Sequence, residues 1–374
     1  MNVFITDASY KHTLAIVRSL GRKNIAVNVG TSFHSAQLSS FSKYSQQSFV
    51  YPNPKKDPDG FVRFFNKMYK LLKYEAIIPV GYTTTLALSM KKNLLNDNIN
   101  IPISDYSSFK IAANKADSIL LAKRSGVPIP NTIFLNHPSE LENLKIESYP
   151  VVVKGIYEGG FVRYAYTKQE LKEKFEEIYK LQATPPLIQE FVKGEGYGFF
   201  ALFNHGKPRA IFMHKRIRER YIMGGPSTCA ESVYVPKLLD YGLKLLKTLA
   251  WHGVAMVEFK KDSTDGSFKL MEINPKFWGS LDLAIASGVD FPYLLYKMTI
   301  DGDVRPVFTY KRGLKFMWPF PDDLLHVLEK PRDIKSFFSD LCNQRVNKNI
   351  NFNDLKPIVS PILDKFHLYT KGGC

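Results

Sequence analysis

A chain of 374 residues, 45% hydrophobic and 23% charged, can bury a sizeable core and is long enough for two or three domains or one large α/β unit. Its formal net charge of +16 favours anionic partners: nucleic acid, an acidic membrane, or phosphorylated and carboxylate small molecules. The absence of like-charge blocks, zinc-finger spacing and long apolar runs argues for the small molecules, and three scattered cysteines (Cys229, Cys342, Cys374) argue against a disulfide scaffold or thiolate metal site.

The N-terminus, "MNVFITDASY", lacks the basic and long apolar segments of a signal peptide, and the expectation is a cytoplasmic chain opening on a buried strand, "NVFITD". "HTLAIVRSLGRKN" carries apolar residues at helical spacing and stops near Gly21; "IAVNVG" is a second strand. This alternation predicts parallel strands with a right-handed crossover. "PDGFVRFFNKMYKLLKYE" is an amphipathic helix, "AIIPVG" a strand, "TTTLALSMKKNLL" a helix and "NINIPIS" a short strand. Residues 1–105 therefore read as an alternating α/β domain. Ligands in such sheets sit beyond the carboxyl ends of strands, so "TDASY" and "PVGYTTT" are candidate site walls, though plain connecting loops fit as well.

From residue 106 the texture changes. "DYSSFKIAANKADSILLAKR" predicts a helix ending near Arg124. "YPVVVKG" is a buried strand closed by Lys154, "GIYEGG" a glycine turn, and "KQELKEKFEEIYKLQ" an exposed helix. "PLIQEFVKGEGYGFFALFNHGKPRAIFMHKRIRE" alternates as strands around the turn "NHGK". A helix, "PKLLDYGLKLLKTLAWHG", precedes two strands, "VAMVEFKKD" and "SFKLMEINP". Beyond Asp303 the pattern weakens, and residues 304–374 are expected to form an extension packed on the body.

The last strand pair carries the clearest chemistry. A turn at "TDG" sets Glu258 opposite Glu272, and a period of two puts Asn274 on the same face. Opposed carboxylates repel, which a hard cation between them would relieve; Mg²⁺ takes one or two carboxylates and shares phosphate oxygens. A solvated strand face, with Lys260 two residues on, fits the hairpin equally. Lys154 leaves an apolar strand and must reach an anion or water. Backbone N–H groups of the following glycine turn could cradle phosphate. Lys115 alone reads as a helix-surface lysine. "IQEFVKGEGYG" holds Glu190 and Glu195, but Gly194, Gly196 and Gly198 lack dinucleotide-binding spacing and fit a plain loop. "HKRIRERYIMGGPST" sets Lys215, Arg216, Arg218 and Arg220 before a Gly-Gly turn. Arginine forks suit carboxylate and phosphate, though a solvated basic strand fits as well.

Taken in order, Lys115, "GVPIPNT", "YPVVVKG", the glycine turn, "IQEFVKGEG", "VEF" and "MEINP" resemble the ATP-grasp superfamily. Within it the resemblance is to carboxylate–amine ligases near the biotin carboxylase and carbamoyl phosphate synthetase branch, over residues 1–303. It implies an α/β and α+β architecture: a doubly wound α/β pre-ATP-grasp domain (1–105), then an ATP-grasp domain (106–303) with a small lid at about 150–195 and a C-terminal α+β half. It implies ATP and Mg²⁺, with Mn²⁺ an alternative. Lys115 and Lys154 would bind ATP phosphates under a loop containing Gly159 and Gly160. Glu190 and the backbone of Phe191 and Val192 would meet adenine, and Glu195 the ribose. Glu258, Glu272 and Asn274 would hold the metal. Lys154, Lys276, Arg216 and Arg218 would stabilise developing charge; Lys276 stands where relatives often carry an arginine. Gly225 and Ser227 of "GGPST", with Trp278, Gly279 and Ser280 of "KFWGS", would face the substrate.

The implied reaction forms an acyl phosphate and ADP from a carboxylate and ATP, and an amine then displaces phosphate. Phosphoryl transfer needs positioning and charge neutralisation more than a protein nucleophile, in keeping with the lack of a Ser-His-Asp constellation. The expected partners are small-molecule carboxylates and amines, with a homodimer left open, and neither nucleic acid nor membrane. The alternatives are an ATP-grasp kinase or carboxylase without an amine acceptor, a non-catalytic nucleotide-binding regulator, and nucleic-acid binding resting on charge alone.

Overall fold

A computed structural model describes residues 2–32, 37–157, 161–221 and 225–359. Three sheets organise them. Strands β1 (Asn2–Ile5), β2 (Ala26–Thr31), β3 (Ser45–Val50) and β4 (Ala76–Ile78) form a parallel sheet in the order β3-β2-β1-β4. The sequence order reverses beside β1, so a crevice opens at the carboxyl ends of β1 and β4. Phe4 of β1 meets Phe65 edge-on at 5.2 Å, seating the helix Pro58–Leu72, which Asp57 caps through the N–H of Gly60. Strand β3, "SQQSFV", is absent from the sequence reading. It is a largely exposed edge strand with no apolar alternation to mark it. The expected strand "NINIPIS" makes only a single bridge, Asn100 to Ala76.

Strands β5 (Thr132–Ile133), β6 (Val151–Lys154), β7 (Val162–Ala165) and β8 (Leu187–Glu190) form a small antiparallel sheet, order β5-β8-β6-β7. The helix Lys168–Gln182 covers it with Leu171, Phe175 and Ile178. Thr167 caps that helix through the N–H of Glu170.

The third sheet has seven strands: β9 (Gly194–Asn204), β10 (Lys207–Glu219), β11 (Ser227–Ser232), β12 (Gly253–Asp262), β13 (Phe268–Asn274), β14 (Lys315–Met317) and β15 (Asn347–Lys348), in the order β13-β12-β9-β10-β11-β14-β15. Alternation gives it two apolar faces. Phe199, Ala201 and Val257 pack on helices carrying Phe109, Ile119, Leu238 and Leu245. Phe200, Leu202, Phe212 and Met256 share a core with Val3, Ile5 and Leu20 of the first sheet's layer. The parallel sheet and the large sheet are therefore packed against each other through one hydrophobic cluster.

Two departures from the sequence reading matter for the site. The expected helix up to Arg124 is two helices, Tyr106–Ala113 and Lys115–Arg124, split at Asn114. Asn114 is extended (φ −93°, ψ 119°), and its side chain accepts from the N–H groups of Ala116 and Asp117. Lys115 thus begins a helix, with its own N–H donating to the Ile156 carbonyl at 2.8 Å. Second, Arg218 takes no part in the cleft. A bulge between Arg216 and Arg218 breaks the alternation of β10. The Arg218 side chain, 4% exposed, pairs with Asp323 and Asp340, each at 2.7 Å. The C-terminal segment is thereby tied to the sheet, to which it also contributes β14 and β15. Among the described residues no helix is long and apolar enough to cross a membrane.

Candidate active site

A cleft of about 760 Å³ opens between the small antiparallel sheet and the large one. That volume lies within the ordinary range for small-molecule sites. Its floor is the hairpin of β12 and β13. The register pairs Glu258 with Glu272 and Met256 with Asn274, so the three polar groups share a face as the alternation predicts. The amide nitrogen of Asn274 donates to Glu258 at 3.2 Å and to Glu272 at 3.0 Å. Lys115 Nζ lies 3.1 Å from Glu272. Arg216 pairs with Glu258, bonds Glu219 at 3.0 Å and donates to the Gly225 carbonyl at 3.1 Å.

Arg216 reaches Glu258 across strand β9, and this route requires bare backbone. Gly196 and Gly198 stand on β9 opposite Lys260 and Glu258. A Cβ on Gly196 would sit 2.8 Å from Arg216 Cδ, and one on Gly198 would sit 2.5 Å from the Phe200 ring. The glycines that fit a plain loop in the sequence are a smooth strip inside a strand. Their spacing of two was the available signal.

Burial would raise Glu272, but Lys115, the Asn274 hydrogen bond and Lys154 outweigh it and hold the carboxyl near 2. Glu258 moves the other way: burial and the facing Glu272 raise it, against the pull of Arg216. Burial lowers Lys154 to about 8, aided by Lys115 and Lys260 and opposed by Glu272.

The donor set fits a hard divalent cation. Two carboxylates and an amide lie on one face, and turning the Asn274 amide over would offer its oxygen as well. No group of three or more His, Cys, Asp or Glu able to hold a metal occurs among the described residues. A cation here would share its coordination with ligand oxygens, as Mg²⁺ does at phosphate sites.

At one end of the cleft lie Glu190, Phe191 and Val192. Lys269 bonds Glu190 at 2.6 Å and Asp262 at 2.8 Å. Lys260 donates to the Val192 carbonyl at 3.3 Å and lies 5.4 Å from the Phe191 ring centre. Lys276 and Tyr82 line the cleft, Tyr82 coming from the first turn of the helix Tyr82–Met90 beside the parallel sheet, and Gly225 lines it too.

Several expected site residues lie elsewhere. Glu195 is exposed, pairs with Lys215 and bonds the Tyr197 hydroxyl at 3.3 Å. It shares parity with Tyr197 and Phe199, whose side chains pack with the helix layer, and it does not line the cleft. Trp278 is buried between Phe200 (4.5 Å) and Phe291 (5.1 Å). Ser227 and Ser280 are buried too, and a Cβ on Gly279 would meet Lys11 Cε at 3.4 Å. Once Pro275 ends the strand, the aromatic residues follow the hydrophobic core rather than the cleft. Gly159 and Gly160 lie outside the described residues. Lys269, Glu219 and Tyr82 are additions: Lys269 reaches Glu190 from another strand, Glu219 bonds Arg216 three residues before it, and Tyr82 enters from the helix beside the parallel sheet.

A family model described as "ATP-grasp in the biosynthetic pathway with Ter operon" matches residues 183–318. Among solved structures, a biotin carboxylase–ATP-analogue complex from Campylobacter jejuni superposes with TM-score 0.67 at 15% identity, over 84% of this chain and 74% of that one. N5-carboxyaminoimidazole synthetase from Staphylococcus aureus, complexed with ADP, gives TM-score 0.67 at 12% identity over 90% and 86%. An L-amino acid ligase from Bacillus licheniformis gives 0.61 at 15% over 82% and 77%. Acetyl-CoA carboxylase 1 of Arabidopsis thaliana is 22% identical over 203 residues, spanning 46% of this chain but only 9% of that protein. The fold is the ATP-grasp fold. The family match over residues 183–318 falls within that fold.

Proposed function

We propose that the protein is a Mg²⁺- and ATP-dependent, ADP-forming ligase that joins a small-molecule carboxylate to an amine. The observation that carries this reading is the meeting of Glu258, Glu272 and Asn274 with Lys115 and Lys154 in one cleft. The carboxylate oxygen attacks the γ-phosphorus, the bond to the β–γ bridging oxygen breaks, and ADP departs. The amine nitrogen then attacks the acyl carbon, the C–O bond to phosphate breaks, and the amine proton leaves with phosphate or to water. Lys115 and Lys154 bind and orient the phosphates, and Arg216 and Lys276 balance charge toward the reacting end. Glu258, Glu272 and Asn274 would hold Mg²⁺, which when bound neutralises charge on the phosphate oxygens. Phe191 and Val192 seat the base.

The test is ADP and phosphate release with panels of carboxylates, each with and without amines. Release that requires both partners is expected. Turnover with bicarbonate or a carboxylate alone would favour a carboxylase or kinase instead.

Lys154 gives a pH signature. Its folded value, about 8, lies below that of an ordinary lysine, so the unfolded chain binds the extra proton more readily between the two. Its contribution to stability is therefore unfavourable below about 8 and improves as pH rises above it. Nucleotide affinity should move oppositely, falling as pH rises through about 8 and the ammonium is lost. Calorimetric titration of ATP from pH 7 to 9.5 should show this decline in the wild type and a flatter profile in Lys154→Arg.

A further inference from the structure

We propose that Lys260 reads the edge of the nucleobase and relaxes the choice between adenine and guanine, so that the cleft accepts GTP as well as ATP. This rests on the nucleotide reading of the cleft given above. An adenine is recognised at its amino edge by an acceptor, because N6 can only donate there; guanine presents the acceptor O6 at the same place. Two acceptors line the base end of this cleft, and each already carries a lysine. The Val192 carbonyl accepts from Lys260 at 3.3 Å, and the Glu190 carboxylate accepts from Lys269 at 2.6 Å.

Lys260 is placed to act on a base. It stands on β12 two residues beyond Glu258, lines the cleft, and sets its ammonium 5.4 Å from the Phe191 ring centre. An ammonium has three N–H donors, and the Val192 carbonyl takes one. The others can meet O6 and N7 of guanine, the usual pairing of a cationic side chain with that base, whereas adenine offers them N7 alone and sets its N6 amino group donor against donor. ATP retains the second lone pair of the Val192 carbonyl, so it is weakened rather than excluded.

The test is equilibrium binding of Mg-ATP and Mg-GTP to the full chain, with no turnover required. Wild type is expected to bind the two within about tenfold. Lys260→Met keeps the aliphatic stem and removes the donors; it should lose GTP affinity by about 10- to 100-fold, the usual weight of a hydrogen bond to a charged group, and keep ATP within about threefold. Lys260→Arg should retain GTP binding, and thermal melting checks that both variants fold. An equal loss for both nucleotides would make Lys260 a phosphate counter-ion and overturn the proposal. A wild type that rejects GTP by more than about 100-fold would overturn it as well. Failure of wild type to bind either nucleotide would sink the nucleotide reading itself, and base reading with it.

Discussion

Glu272→Gln should reduce ATP-dependent turnover by about 10³-fold or more, the scale of losing a preorganised electrostatic contact at a reacting centre. The substitution keeps shape and removes charge. Glu272 is the carboxylate that stays ionised, near 2, while its neighbour Glu258 is raised. It is also the counter-charge of Lys115, 3.1 Å away. Glutamine would take away a carboxylate of the proposed metal site and leave Lys115 and Lys154 mutually repelling. Metal-dependent tightening of nucleotide binding should vanish, whereas metal-free nucleotide binding should hold or improve. Calorimetry with and without Mg²⁺ separates the two effects, and a melting curve checks the fold. Unchanged turnover would remove Glu272 from the site's chemistry.

The second large effect concerns stability. Arg218→Met should cost about 3–5 kcal/mol, read as a lowered midpoint in urea unfolding, because it strands two buried carboxylates. Asp323 is fully buried and Asp340 nearly so, at 0% and 9% side-chain exposure. The Thr228 hydroxyl donates to Asp323, and Lys315 pairs with Asp340, so partial compensation survives. Adding Asp323→Asn and Asp340→Asn to Arg218→Met should recover much of the loss, since the penalty lies in unpaired charge rather than missing contact. A loss below about 1 kcal/mol would mean that the C-terminal segment is anchored by its apolar contacts instead.

Much of this site was legible in one dimension. Glu258, Glu272 and Asn274 lie on one hairpin, where a turn position and a period of two determine who faces whom; the observed register agrees. Lys154 was marked by the apolar run before it, and the helix Lys168–Gln182 by its charge-laced pattern. Strand β3 went unseen because an exposed edge strand needs no hydrophobic period.

Where the alternation rule failed, a local or tertiary cause is visible. Four cations in "HKRIRER" look alike as text, yet a bulge sends Arg218 to the C-terminal aspartates and leaves Arg216 in the cleft. "KFWGS" looked like a substrate loop, but the hydrophobic gain from burying Trp278 against Phe200 and Phe291 governs its path. Glu195 was misplaced through strand parity, which depends on where β9 begins.

The sequence by itself determined the βαβ opening of the chain, the carboxylate face and the lysine that closes β6, because each depends on neighbours a few residues away. Only the tertiary structure decided that Arg216 crosses a bare glycine strip to Glu258, that Lys260 caps the Val192 carbonyl, and that Arg218 locks the C-terminal segment. Those pairings join residues 42, 68 and 105 positions apart. Charge, burial and reach select such partners only after the chain has folded.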